Sequence, residues 1–390
     1  MTFVRLGVEH SPTFGVPYLW FMKALPWKSK PGQPLVVAGP CSAESESQVV
    51  ETALALAASG RVVAFRAGVW KPRSRPGSFE GIGSSALPWL VAAREASGLP
   101  VMTEVANAQH VEACLKAGLD ALWIGARTTV NPFYVQEIAE ALRGVNIPVW
   151  VKNPIHSDLG LWIGALERLD AVGIGSVAAV HRGFYADRPE PFRNEPKWEL
   201  SFALRSRVPD VPIVCDPSHI AGKRSLVEQV ARTALDLQLD GLMVESHTNP
   251  DKALSDAAQQ LTPDALNALL EGLDVRRGTP KDAEALRVLS ELRSTLDGLD
   301  SELVHLLQAR MDLVAAIGHL KAKHGMTVFQ LDRFQHIFQA RGEEAAALGV
   351  HPALIDELFQ VVHKYSVQKQ IEVRQQAPLW GDAAQSAAKQ

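Results

Sequence analysis

LVVAGPC (Leu35–Cys41) is the first of eight short apolar runs in the first two-thirds of this chain, each stopping at residues able to do chemistry. The others are VVAFRAG (Val62–Gly68), VMTEV (Val101–Val105), LWIGAR (Leu122–Arg127), VWVKN (Val149–Asn153), VAAVHR (Val177–Arg182), IVCDPSH (Ile213–His219) and LMVES (Leu242–Ser246). Continuous apolar runs read as strands buried on both faces, as in a parallel sheet. The stretches between them are long enough for helices. Eight strands alternating with helices predict a closed α/β barrel of the (β/α)8 TIM type, whose active site gathers at the C-terminal ends of the strands. Those ends carry Cys41, Arg66, Glu104, Arg127, Lys152, Arg182, His219 and Glu245. Charge at so many strand ends implies one polar pocket that binds anions and a metal.

Composition narrows the setting. The chain has 390 residues, enough for two or more domains with cores of their own. Its formal net charge of −4 gives no electrostatic reason to invoke nucleic acid or an anionic membrane, so neither is expected as a partner. Three cysteines, Cys41, Cys114 and Cys215, make no disulfide framework and fit a reducing cytoplasm. Phe14–Leu25 is apolar but short and is interrupted by Pro17 and Lys23, so it is no membrane span. Residues 1–32 read as an N-terminal extension, a hairpin closing the bottom of the barrel, and residues 33–273 as the barrel.

Asp274–Asp282 then breaks the pattern with Gly278 and Pro280, as a linker would. Beyond it the apolar period changes. Leu286, Leu289, Leu292, Leu296, Leu299, Leu303, Leu306, Val314, Ile317 and Leu320 recur at steps of three and four, with no proline between Asp282 and His324. That predicts a helix about 40 residues and about 60 Å long. Such a helix cannot bury its stripe against a small domain and needs a partner chain or a long antiparallel return. Two shorter helices are expected near Leu331–Ala347 and Pro352–Glu372. The helical domain is thus 283–375, and 376–390 is a polar, frayed tail.

Two constellations stand out at the barrel mouth. Cys41, His219, Glu245 and Asp256 combine thiolate, imidazole and carboxylates, a donor set for a borderline divalent metal such as Mn²⁺, Fe²⁺, Zn²⁺ or Co²⁺. Arg66, Lys71, Arg73, Arg127, Lys152 and Arg182 converge from separate strands and would repel one another unless anions neutralise them. They imply substrates bearing two phosphates and a carboxylate.

AGPCSAES (Ala38–Ser45), FRAGVWKPRS (Phe65–Ser74), IGAR (Ile124–Arg127), DPSH (Asp216–His219) and ESHTNPDKALSDAAQ (Glu245–Gln259) resemble 3-deoxy-D-arabino-heptulosonate 7-phosphate (DAHP) synthase, in the class related to 3-deoxy-D-manno-octulosonate 8-phosphate synthase. The resemblance covers Leu35–Leu273. It implies condensation of phosphoenolpyruvate with erythrose 4-phosphate, the first step of the shikimate pathway. It implies a metal on Cys41, His219, Glu245 and Asp256, and phosphoenolpyruvate contacts from Arg66, Lys71, Arg127, Lys152 and Arg182. Arg73 and Ser74 would lie near the sugar phosphate, Lys71 would protonate the new hydroxyl, and Glu104 would help place a water.

The segment from Ala285 to Val373 is similar to the all-helical chorismate mutases, a domain of three helices that converts chorismate to prephenate. Arg293, Arg310, Lys321, Arg333, Ser366 and Gln370 match polar positions of that family. Arg310 and a partner-chain Arg293 would grip carboxylates, while Lys321 and Gln370 would donate to the ether oxygen. Gln330 stands where the family often has Asp, and Phe334 where it often has Glu, acids that usually serve the substrate hydroxyl. The length of the helix Asp282–His324 and the separation of Arg293 from Lys321 along it predict a homodimer through the helices, or a higher oligomer built on it. Feedback on the synthase by chorismate or prephenate, through docking of the helices over the barrel mouths across the linker Asp274–Asp282, is a further expectation. The alternative is an octulosonate-type synthase with a non-catalytic regulatory or dimerisation module.

Overall fold

The computed structural model describes residues 26–71, 77, 79–187, 191–273 and 282–376. Of the expected segments, most of the N-terminal extension, Arg73 and Ser74, the linker up to 281, and the tail from 377 lie outside them. The chain divides into two compact units, Met1–Gly278 and Thr279–Gln390.

In the first unit eight parallel strands close in sequence order, with β8 pairing back onto β1. They are β1 (Leu35–Gly39), β2 (Ala64–Arg66), β3 (Val101–Val105), β4 (Ala121–Ile124), β5 (Val149–Lys152), β6 (Val177–His181), β7 (Ile213–Cys215) and β8 (Gly241–Glu245). Around them lie α1 (Glu46–Ala58), α2 (Leu87–Ser97), α3 (Ala108–Ala117), α4 (Ala126–Thr129), α5 (Pro132–Ala141), α6 (Leu159–Ala171), α7 (Trp198–Arg207), α8 (Pro217–Ala221), α9 (Arg224–Asp236) and α10 (Pro263–Glu271). This is the barrel that the eight runs predict. Every strand residue is buried, which explains the continuous apolar runs.

The strand period of two sorts these residues into two cores. Leu35, Val37, Ala64, Met102, Ala121, Trp123, Trp150, Ala178, Val180, Val214 and Met243 fill the barrel interior. Val36, Ala38, Phe65, Val101, Val105, Leu122, Ile124, Val149, Val151, Leu242 and Val244 face the helices. Trp27 packs against the interior stack, its ring 5.8 Å from that of Trp150. The polar residues Arg66, Glu104, Lys152, Arg182, Asp216 and Glu245 share the parity of the interior set. The same register that fills the barrel therefore directs them into its mouth.

Two of the runs end differently from expectation. Arg127 and His219 are not on strands; each lies in a short helical turn, α4 and α8, that follows one. Local chemistry starts the second turn: Pro217 fixes its first residue, and Asp216 caps it by accepting from the His219 N–H at 3.1 Å.

The second unit is α11 (Ala283–Lys323), α12 (Leu331–Ala347) and α13 (Pro352–Gln376). Asp282 caps α11, accepting from the N–H groups of Glu284 and Ala285. At 41 residues, α11 spans about 60 Å. α13 runs through Gln376, past the expected end at Glu372 and into the segment expected to fray; residues 373–376 hold no Gly or Pro to stop it. Val314 and Gly318 on α11 are buried, but Leu292, Leu296, Leu299, Leu303, Leu306, Leu313, Ile317 and Leu320 are exposed. Among the described residues, no helix is long and apolar enough to cross a membrane.

His181 ends β6 on its outer face, ringed by Trp162, Phe184 and Trp198. Burial pushes its imidazole down to about 3, only partly offset by the Pro196 carbonyl. The unfolded chain takes up this proton below about pH 6.5 while the folded chain refuses it, so the barrel loses stability as pH falls from there toward 3. Between pH 7 and 5 the wild type should lose about 2 kcal/mol more than His181→Phe in urea unfolding. Equal losses would show that the imidazole can be protonated in the fold.

Candidate active site

Trp123 forms the floor of the barrel mouth. The Arg66 guanidinium lies 4.7 Å from its ring centroid and the Lys152 ammonium 5.8 Å, both over the negative π face. Its indole N–H donates to Glu104 Oε2 at 3.1 Å. Gly125, in the IGAR stretch, permits this: a Cβ there would stand 2.1 Å from Glu104 Oε1.

Above the floor, acids and bases alternate. Lys152 Nζ donates to Asp216 Oδ2 at 2.8 Å, and His219 Nδ1 stands 2.8 Å from the same oxygen. Arg66 donates to Glu245 Oε1 and to the Cys41 carbonyl, each at 3.1 Å. Arg193 donates to Asp256 Oδ1 at 3.1 Å and to Gln259 Oε1 at 2.8 Å, and Gln259 in turn donates to Glu245 Oε2 at 2.7 Å. Burial alone would raise the Asp216 and Glu245 carboxyls. His219 and Lys152 outweigh it at Asp216, and His219 and Arg66 at Glu245, so both stay below the ordinary carboxylate range.

Ligand atoms of Cys41, Glu245 and Asp256 lie within 4.8 Å of one another. His219 Nε2 joins them, 3.7 Å from an oxygen of each carboxylate. The set fits a divalent cation. Asp256 holds a left-handed φ of +47°, uncommon outside glycine and tolerated best by Asn and Asp, which aims its carboxylate at the cluster. Burial, reinforced by Glu245, pushes the Cys41 thiol up to about 12, so it needs a cation beside it to act as a thiolate. His219, with Asp216 behind its other nitrogen, is oriented as a ligating imidazole usually is.

Lys71, Glu104, Arg127, Lys152, Arg182, Arg193, His219 and Asp256 line one cavity. Lys71 Nζ donates to the Cys41 carbonyl at 3.1 Å. Arg182 is held by Asn194 Oδ1 at 2.9 Å, and burial, with Arg193 and Arg127 facing it, brings its guanidinium down to about 10. A wall this rich in cations attracts a polyanion. Arg66, expected on phosphoenolpyruvate, lies beneath this wall: it is fully buried and braces Glu245 and Cys41. A larger depression of about 540 Å³ between α3 and α5 is lined by Glu112, Glu137, Glu140 and Phe133 and has none of this chemistry.

In the helical unit, α11 and α13 bring Arg310, Ser366 and Gln370 together. Arg310 donates to Ser366 Oγ at 2.6 Å, and Gln370 Nε2 to the Ser366 carbonyl at 3.4 Å. A Cβ at Gly318 would meet Gln370 Cα at 3.2 Å, so the helices approach closely there. Lys321 donates to the Val328 carbonyl at 2.6 Å. Burial lowers both Arg310 and Lys321. Three expected residues are not drawn in: Arg293 and Gln330 are exposed, and Arg333 is exposed beside His336.

Residues 28–276 match the DAHP synthetase I family. The chain belongs to that family. Residues 292–371 match chorismate mutase type II, so a mutase domain follows the synthase. The phospho-2-dehydro-3-deoxyheptonate aldolase of Thermotoga maritima is 29% identical over 239 residues, 60% of this chain and 68% of its own. The 2-dehydro-3-deoxyphosphooctonate aldolase of Nitratidesulfovibrio vulgaris is also 29% identical, over 61% of this chain and 90% of its own. The T-protein of Enterobacter agglomerans is 36% identical over 78 residues, 20% of this chain and 21% of its own. A solved DAHP synthase of Thermotoga maritima superposes with a TM-score of 0.55 at 29% identity, covering 62% of this chain and 68% of that one. The DAHP synthase barrel joins phosphoenolpyruvate to erythrose 4-phosphate, and the mutase domain rearranges chorismate to prephenate.

Sequence reasoning missed Arg193, Gln259 and the double duty of Asp216. Asp216 was legible within DPSH; Arg193 lies in an irregular loop and carries no periodic signal. Because Asp216 serves both Lys152 and His219, Asp216→Ala should weaken Mn²⁺ binding roughly 10–100-fold and raise the KM for phosphoenolpyruvate. Calorimetric titration of the metal-free protein measures the first; an unchanged affinity would mean that His219 is oriented by something else.

Proposed function

We propose that the DAHP synthase works with a divalent cation held by Cys41, His219, Glu245 and Asp256. The observation that carries this reading is the convergence of a thiol, an imidazole and two carboxylates beside a cation-lined cavity. When bound, such a cation supplies Lewis acidity toward an aldehyde oxygen. The remaining work belongs to the side chains. Arg127, Lys152 and Arg182, with Arg193 added, hold the phosphate and carboxylate of phosphoenolpyruvate. Lys71, buried and kept protonated by Cys41 and Glu104 against its own desolvation, delivers a proton to the new hydroxyl. Glu104, fixed by Trp123, positions the water that adds to the phosphoenolpyruvate carbon. Arg73 and Ser74 take the sugar phosphate. Three free, buried cysteines fit a reducing cytoplasm.

Chelation should abolish synthase activity and leave mutase activity unchanged, because a pericyclic step needs no Lewis acid. Cys41→Ala should lower synthase kcat/KM by at least about 100-fold. Full synthase activity in a metal-free sample would overturn the assignment.

The mutase domain works as a homodimer. Its exposed leucine stripe on α11 supports this, and so does spacing: 28 positions separate Arg293 from Lys321 (321 − 293), about 42 Å along a straight helix. Arg293 therefore serves the partner's site, where Arg310, Lys321, Ser366 and Gln370 do the rest, with Arg333 and Gln330 at its rim. Inactive Arg293→Ala and Lys321→Ala chains, mixed and refolded together, should regain roughly a quarter of wild-type activity through hybrid sites. Mixed dimers without rescue would count against sharing.

Chorismate or prephenate held in the mutase domain also lowers the synthase rate. Such control requires only that the ligand bind one conformational state more tightly than another. Prephenate should inhibit the synthase of the wild-type chain, and Arg310→Ala should relieve it; identical inhibition in both would place the inhibitor elsewhere.

A further inference from the structure

The mutase site is rich in donors: Arg310 and Lys321 from α11, the Gln370 amide and the Ser366 hydroxyl from α13. Its substrate carries two carboxylates, an ether oxygen and a hydroxyl. The first three can be met by those donors, but the hydroxyl still needs a partner. Gln330 is exposed, and Phe334 offers no polar atom. On α13, His363 precedes Ser366 by three residues and Gln370 by seven, so all three share one helix face. Two buried side-chain atoms on this face, His363 Nε2 and Gln370 Oε1, have no hydrogen-bond partner. Buried polar atoms are rarely left so, and two on one helix face point to a polar ligand. The imidazole packs edge-on against Phe334, ring centroids 4.8 Å apart, with Phe329 at 6.1 Å and Phe338 at 6.5 Å. That aromatic packing fixes the ring. Burial, followed by the fields of Arg310 and Lys321, keeps it neutral, so Nε2 can exchange a hydrogen bond with a neutral hydroxyl.

We propose that His363 is a substrate-contacting residue of the mutase: its Nε2 hydrogen-bonds the hydroxyl of chorismate, beside Phe334. The proposal rests on the mutase reading of this domain. It is tested in the full chain with chorismate and with the analogue that lacks the hydroxyl. His363→Leu should lower kcat/KM for chorismate by about tenfold or more, and for the deoxy analogue by no more than about twofold. His363→Gln should retain part of the activity, and Phe334→Glu added to His363→Leu should recover most of the loss on chorismate alone. Synthase rates and helix content of each variant report folding. Equal losses on both substrates would assign His363 a packing role and overturn the proposal, as would no loss on chorismate. A well-folded wild-type chain that does not rearrange chorismate would overturn the mutase reading, and the proposal with it.

Discussion

Lys152 and His219 share one buried carboxylate, that of Asp216, and the barrel mouth is organised around this kind of sharing. Removing a charge from water costs several kcal/mol, and a lone buried ion would sooner change protonation than stay charged. Several ions here have a partner of opposite sign: buried Lys152 with Asp216, buried Arg66 with Glu245, and the more exposed Arg193 with Asp256. The links are not independent. Gln259 ties Arg193 to Glu245, and Arg66 ties Glu245 to the Cys41 carbonyl. A substitution at any one of them therefore disturbs contacts that its neighbours share. The network also divides positions. Arg66 lies below and donates to Glu245, while Arg127, Lys152 and Arg182 face the cavity.

The helical unit follows the opposite economy. Its buried residues are few and include Val314, Gly318, Ala345, Ser366, Gln370 and Val373, and two of those are polar. A row of leucines on α11 remains in solvent. A contiguous apolar row that long is unfavourable in water. Gln370 lies where α11 and α13 come close together, against Gly318.

The sequence made the barrel legible because its strands are buried on both faces, which turns each into an unbroken apolar run. It made part of the site legible for a related reason. With a side-chain period of two, a polar residue in step with Val37, Met102, Trp150 or Met243 must face the same interior, and Glu104, Lys152 and Glu245 are in step. Where the backbone leaves the strand, that rule lapses. Arg127 and His219 reach the mouth from helical turns, and Arg193 from a loop, so no periodicity announces them. Charge and parity place Arg66 in the interior, but they do not announce that its guanidinium is fully buried and donates to Glu245 and the Cys41 carbonyl. In the helical unit the heptad-like spacing gave the helices, whereas the partnering of His363 with Phe334 depends on how α12 and α13 pack and leaves no trace in either helix alone.

The two activities ask for different physics, which explains why they can share a chain without sharing a site. Condensation builds charge on an aldehyde oxygen and must manage a phosphate, so it needs a charged mouth of the kind a barrel supplies. The rearrangement is unimolecular and asks mainly that a dianion be held in one conformation, which a rigid groove between helices can do. Prephenate is not a substrate of the barrel, nor the barrel's product a substrate of the helices. Raising the local concentration of one product near the other site therefore accelerates nothing. If joining the domains has a thermodynamic consequence, it must come through differential binding: a ligand in one domain changing the energies of states available to the other. That consequence is reciprocal. An inhibitor bound at the helices that slows the synthase by weakening substrate binding must itself be weakened by phosphoenolpyruvate, by the same factor.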